Sequence, residues 1–347
     1  MRIIQQSFAI ARATVVESIQ QPVAFLIFAS GVLSTLLVPI FQFHRFSEEG
    51  RLARDSGFST LMVFGLALAV TTAGRAVAVE ITRGTAAAII GKPVDRSLFV
   101  FSKWLGVCGV ILLFWLGMTA ATLLAERGSA HLVVSELCTH TQHGADDSCE
   151  TTGYVMDSVT LTLGIFGVLI ALLFSAFQQY AKHRRFGVSA FVGIAISQLT
   201  VVVFCGLYDR LGHLRLGMKN APMYVSDLDW RILSVSVLVL FALLIFAALA
   251  TALATRLQTS AVLAVCVLAL LIGLAGDLFA GNAALFSVQG FLAGILPDIQ
   301  HFWMCDALAQ GGRLSWHYVL EAGLYALGCC TLFITAGCLS FTNRDLG

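Results

Sequence analysis

The sequence predicts an all-α polytopic membrane protein, and three observations predict it. Of its 347 residues 58% are hydrophobic and only 12% charged, and the mean hydropathy of +0.87 lies far above that of a water-soluble domain. The apolar residues come in blocks that recur from end to end without a long polar linker, so residues 1–347 read as a single membrane domain. A hydrocarbon core of ~30 Å needs about 20 apolar residues per helix. Eight blocks meet that requirement: 23–41, 58–79, 101–125, 157–179, 187–207, 231–254, 260–280 and 317–341.

The first residues do not read as a signal peptide, because Met1 to Gln21 has no continuous apolar core and no small-residue cleavage site follows. Instead Ile4, Phe8, Ala11, Val15 and Ile19 recur at helical spacing opposite Gln5, Arg12 and Glu17, which predicts residues 1–22 as a helix lying in the membrane interface. Counting spans from a cytosolic N-terminus places 80–100, 180–186, 255–259 and the C-terminus inside. Residues 126–156, 208–230 and 281–316 then lie outside. Of the 21 Lys and Arg residues 12 fall inside, a modest bias in the expected direction. Its strongest part is the turn Lys182-His-Arg-Arg185; Arg210, Arg215, Lys219 and Arg231 stand against it.

The densest charged patch between two apolar runs is Glu80 to Gly106. The pattern predicts a helix from about Ala78, a break where Pro93 drives Lys92 toward extended geometry, and Asp95 or Ser97 as N-cap of the next span. The stretch is not a phosphate loop: six residues instead of four separate Gly84 from Gly91, and Pro93 occupies the Ser/Thr position. The chain also lacks Gly-x-Ser-x-Gly and His-Glu-x-x-His, so it is not expected to be an enzyme itself. Glu80 and Arg83 share a helical face, either as a solvated intrahelical pair or as a docking contact, and Lys103 reads as a snorkelling anchor.

Glu80-Ile-x-Arg83-Gly84-Thr85, Lys92-Pro93-Val-x-Arg96 and Lys103-Trp-Leu-Gly106 resemble the coupling segment of ABC-2-type transporter permeases, exporters whose ATPases are separate subunits. The likeness extends to Arg12-Ala-Thr-Val-Val-Glu-Ser-Ile-Gln-Gln-Pro22, to Ile295-Leu-Pro-Asp-Ile-Gln-His-Phe-Trp303 and to Asn343-Arg-Asp-Leu-Gly347. The resemblance implies a permease subunit of a bacterial ABC exporter in the cytoplasmic (inner) membrane, with both termini cytosolic. It further implies a second permease copy, as homodimer or heterodimer, and an ABC ATPase partner that carries ATP and Mg; this chain would bind no cofactor. Coupling would fall to Glu80, Arg83, Gly84, Thr85, Lys92, Pro93 and Arg96. Family members usually have six spans, so 157–179 and 187–207 form an extra hairpin that preserves the parity of the rest, and 127–230 has no family counterpart.

Cys138-Thr-His-Thr-Gln-His-Gly-Ala-Asp-Asp-Ser-Cys149 admits three readings: a disulfide in an oxidising compartment, an unpaired solvated loop, or a metal site. Its Cys-x-His-x-x-His spacing matches no known zinc pattern, so no metal is assigned. The other seven cysteines read as small apolar fillers. Ile295 to Trp303 is too short to span; Pro297, Asp298, His301 and Trp303 make it an outer re-entrant segment, as the resemblance implies, or an interfacial hairpin anchored by Trp303. Asp277, Asp306 and Glu321 lie near outer span ends, where they reach water. A net charge of +1 argues against nucleic acid and leaves membrane lipid as the general environment. The rival class is a membrane scaffold or maturation partner that binds periplasmic proteins through its outer loops without moving a solute. A secondary transporter would show internal repeats and mid-membrane charges, and neither is found. No span carries a pattern that reads a transported substrate.

Overall fold

The computed structural model describes residues 2–41, 50–80, 95–135, 151–183, 185–208, 228–274, 297–309, 312 and 314–342. Helix α1 (Arg2–Ile19) leads into α2 (Pro22–Leu37), where Pro22 takes the first helical position and its missing N–H leaves nothing unsatisfied. A 3-10 turn, Val38–Phe41, ends α2. Gly50, at φ 67°, starts α3 (Arg51–Ala73), which continues through a π-helical turn, Gly74–Val79. The chain then forms α4 (Arg96–Gly128), strands β1 (Ala130–Ser135) and β2 (Thr151–Met156), α5 (Ser158–Lys182) and α6 (Phe186–Leu207). It closes with α7 (Arg231–Ala254), α8 (Thr259–Leu274), a 3-10 turn Gln300–Phe302, α9 (Cys305–Ala309) and α10 (Trp316–Thr342).

Among the described residues seven helices are long and apolar enough to cross a membrane: Pro22–Phe41, Arg51–Val79, Arg96–Gly128, Ser158–Lys182, Phe186–Leu207, Arg231–Ala254 and Trp316–Thr342. The chain is therefore a helical, multi-pass membrane protein. Each helix coincides with one of the apolar blocks, as it must when hydrocarbon thickness sets both. The remaining block begins as α8, of which 16 residues are described. Between α4 and α5 the structure adds an element the all-α expectation lacked. β1 and β2 form an antiparallel ribbon in register from Ala130↔Met156 to Ser135↔Thr151.

Helix α4 is the hub, packing against α1, α2, α3, α5, α6, α7 and α10. α4 and α7 are 72% buried over their apolar windows, whereas α5 and α10 are 33% buried. The outer helices therefore turn Leu173, Leu320 and Leu324 outward, as lipid-facing side chains would be. Between helices in lipid there is no hydrophobic driving force, so close approach over small residues decides the packing. Thr122 seats on Gly57, Leu243 on Gly65, Phe28 on Gly117 and Thr259 on Gly74. The Trp115 indole N–H donates to Ser236 O at 2.8 Å and ties α4 to α7 inside the bundle.

α1 is helical, as its spacing predicts, and it meets the bundle through small residues. Ala11, Thr14, Ser18 and Ile19 are buried, while Ile4 and Phe8 are 75% and 67% exposed. The helix docks its small residues: a Cβ on Gly106 of α4 would come within 2.6 Å of Thr14 Cβ and 2.8 Å of Ala11 O. Its other stripe, Ile4, Phe8, Arg12 and Val16, faces outward.

Candidate functional site

The site starts where α3 and α4 flank residues 81–94. α3 reaches that point through the π-turn, a form that is rare and concentrates at functional positions. Glu80 follows the turn, and its Oε1 accepts from Lys103 Nζ at 2.5 Å. The pair is enclosed, with side chains 14% and 5% exposed, and the ammonium lies 5.5 Å from the Phe99 ring centroid. Burial pushes the Glu80 carboxyl above its ordinary value in spite of Lys103, and Glu17 of α1 adds to the rise. Thus Lys103 is no snorkelling anchor, and Glu80 is no water-facing acceptor: each is the other's partner.

Asp95 occupies the N-cap position of α4, although its side chain makes no capping hydrogen bond. Arg96 donates through Nη1 to Thr342 O at 3.0 Å, satisfying a carbonyl at the end of α10. Phe99 stacks on Phe341 at 5.8 Å, and Arg256 donates to Ser340 Oγ at 2.9 Å and Ser340 O at 2.7 Å. The starts of α4 and α8 are thereby bound to the last span. Arg83, Gly84, Thr85, Lys92 and Pro93 lie outside the described residues.

The opposite end of the bundle holds a set of ion pairs that the sequence reading missed. Arg54 Nη1 meets Asp229 Oδ2 at 3.2 Å with both side chains nearly buried, and Arg231 Nε donates to Asp229 Oδ1 at 2.8 Å. Burial by itself would raise the Asp229 carboxyl, but the Arg231 hydrogen bonds and the Arg54 charge outweigh it and hold it below its ordinary value. Arg127 Nε stands 3.5 Å from Asp157 Oδ2, and Arg127 Nη2 donates to Tyr208 O at 2.9 Å, so one guanidinium ties the ends of α4 and α6 to the cap of α5. Asp157 accepts from Thr160 N at 3.1 Å. The sequence signal was available in Glu126-Arg127 and Asp229-Trp-Arg231 at span ends, where a charge must be paired or hydrated.

The segment from Pro297 lies against this same end. His301 Nδ1 stands 3.0 Å from Asp298 Oδ2, the Tyr318 hydroxyl donates to His301 O at 2.7 Å, and the Tyr325 hydroxyl accepts from Asp298 N at 3.2 Å. Ile299 fits over Gly273 of α8, and Trp303 packs on the core. The structure therefore brings Pro297, Asp298, His301 and Trp303 together and pins them to α10. Asp306 pairs with Arg51 at 3.7 Å, and Glu321 with His317 at 3.3 Å. Cys138 and Cys149 lie outside the described residues, and among those described no group of His, Cys, Asp and Glu is arranged to hold a metal.

Charge divides between the two ends. Among described side chains Arg12, Arg75, Arg96, Lys103, Lys182, Arg185 and Arg256 stand at the α1 end with Glu17, Glu80 and Asp95. Arg51, Arg54, Arg127 and Arg231 stand at the other with Asp55, Glu126, Asp157, Asp229, Asp298, Asp306 and Glu321. No protein-family model, no curated protein and no solved structure matches the chain.

Proposed function

We propose that the chain is the transmembrane permease subunit of an ATP-binding cassette exporter of the ABC-2 type, driven by a separate ATPase and working with a second permease copy. The observation that carries this reading is the Glu80–Lys103 pair. Residues 81–94 connect in sequence two central helices that a buried ion pair joins, so a load applied to that segment reaches α3 and α4 together. The charge division supports an orientation with α1, the 81–94 segment and both termini in the cytosol, because Lys and Arg gather on the cytosolic side. In this reading α8 and the residues after it make the eighth crossing, α5 and α6 the extra hairpin, and Pro297–Trp303 the outer re-entrant segment.

The docking face is assigned to Arg83 and Lys92, since Glu80 and Arg96 have partners within the chain. The test is purification from native membranes with and without Arg83→Glu/Lys92→Glu. The wild type should carry an ATPase subunit, and the variant should lose it while keeping the thermal midpoint of the parent. A wild-type chain that reproducibly purifies without any ATPase would end the permease reading. Retention of the ATPase by the variant would move the docking face elsewhere. An impermeant thiol reagent should label His183→Cys from the cytosolic side; labelling from outside would remove the extra hairpin.

A further inference from the structure

Between α1 and the α5–α6 turn runs an open groove of about 630 Å³, a size typical of small-molecule clefts. Ala9, Ala13 and Val16 give it an apolar wall, and Arg12 and Arg185 bring two guanidinium groups to it. Glu17 is its one acidic lining residue, and Gln20 accepts from Arg185 Nη1. Arg12 has no ion-pair partner among the described residues. Lys182 and His183 stand exposed on the same turn, where His183 takes φ 48° to reverse the chain within three residues.

Its depth follows from helix length. α6, with 22 residues, is about 33 Å long and matches the hydrocarbon thickness, so its first turn marks one boundary of the apolar layer. At that turn a Cβ on Gly187 would lie 2.9 Å from Ile19 O and 2.8 Å from Gln20 O. The C-terminal end of α1 is therefore at the boundary, and the groove opens at headgroup level. Phe8 on α1 and Phe177 and Tyr180 on α5 also face outward, 67%, 62% and 87% exposed. Unpaired cations on such a rim meet anionic lipid, each favouring it about five-fold near the surface.

We propose that this groove binds an anionic phospholipid, its phosphate held between Arg12 and Arg185 and its acyl chains lying along α1 and α5. The site is independent of the transport reading, since it needs only the membrane and this face of the chain. The full chain, delipidated and returned to nanodiscs of phosphatidylcholine with a small fraction of phosphatidylglycerol, is assayed for bound phosphatidylglycerol by native mass spectrometry. The wild type should retain it selectively; Arg12→Gln/Arg185→Gln should bind it about thirty-fold less tightly, and each single variant about five-fold less. Arg12→Lys/Arg185→Lys, which keeps both charges, should recover most of the binding and shows that loss in the Gln pair is not misfolding. Equal retention by wild type and the Gln pair overturns the proposal. So does displacement of the lipid by millimolar inorganic phosphate, which would make the groove a site for a soluble anion.

Discussion

Replacing Lys103 by Met separates the Glu80–Lys103 pair and leaves a carboxylate in a place 14% exposed. Removing one member of a buried pair costs about 3–5 kcal/mol when the other stays charged. Glu80 has a cheaper route, because it can take up a proton. From its ordinary value of 4.5, neutralising it at pH 7 costs about 3.4 kcal/mol, at ~1.4 kcal/mol per pH unit. That figure caps the destabilisation, and burial, which already raises the Glu80 carboxyl, lowers the cap further. The sign with pH follows. In Lys103→Met the folded chain holds a proton that the unfolded chain has lost, so stability falls as pH rises and recovers as pH falls toward 5. Glu80→Gln removes the carboxyl and with it this dependence on pH, so that variant has no such recovery toward pH 5. The double variant Glu80→Gln/Lys103→Met, with no buried charge, should lie within about 1 kcal/mol of wild type.

The assay is reversible unfolding in mixed micelles at pH 5, 6, 7 and 8, read by tryptophan fluorescence, with the four chains forming a double-mutant cycle. The pairing requires a coupling of at least about 2 kcal/mol at pH 7, with recovery toward pH 5 in Lys103→Met only. Additive single effects, or parallel pH trends, would refute it and return Glu80 and Lys103 to independent surface roles.

Three further outcomes are expected. Gly106→Leu should destabilise the chain by about 1–3 kcal/mol and speed tryptic cleavage at Arg12, because its Cβ would lie 2.8 Å from the immovable Ala11 O; unchanged cleavage would mean that α1 is held elsewhere. Asp229→Asn should cost about 3 kcal/mol near neutral pH, since Arg54 and Arg231 then lack their carboxylate. The depressed Asp229 carboxyl contributes stability above its ordinary 3.8 that is lost as pH falls through its lower folded value, so the wild-type melting midpoint should drop there and that of the variant stay flat. Cys138 and Cys149 should be found joined by mass spectrometry of unreduced protein, for the Ser135↔Thr151 pairing draws the two ends of residues 136–150 together; two free thiols with bound metal would select the metal reading instead.

The spans were legible because one physical length, the hydrocarbon thickness, fixes both an apolar run and the helix it forms. The residues by which α1 meets the bundle were not. The spacing groups Ile4 and Phe8 with Ala11, Val15 and Ile19 as one apolar face for the interface, without saying which of them meets protein. In a membrane the large groups can face lipid, and close packing falls to small residues such as Ala11, Thr14 and Ser18 over Gly106. The ribbon had a local signal, the β-branched runs in Ala130–Ser135 and Thr151–Met156, hidden by the assumption that a polar loop has no structure of its own. Charges at span ends announce that partners are needed, but not which ones: Glu80 and Lys103 are 23 positions apart, and Arg54 and Asp229 are 175 apart. Only the order in which the helices assemble brings them together.

That order has a mechanical consequence for the permease reading. α3 is joined to α4 by Glu80–Lys103 at one end and to α7 by Arg54–Asp229 at the other. Between those ends Trp115 bonds to Ser236, and Leu243 seats on Gly65. Sliding one of the three helices past the others would strip a buried charge of its partner, at several kcal/mol each time. Rotating the three as a unit leaves every one of these contacts intact. A push delivered through residues 81–94 should therefore move α3, α4 and α7 as one body.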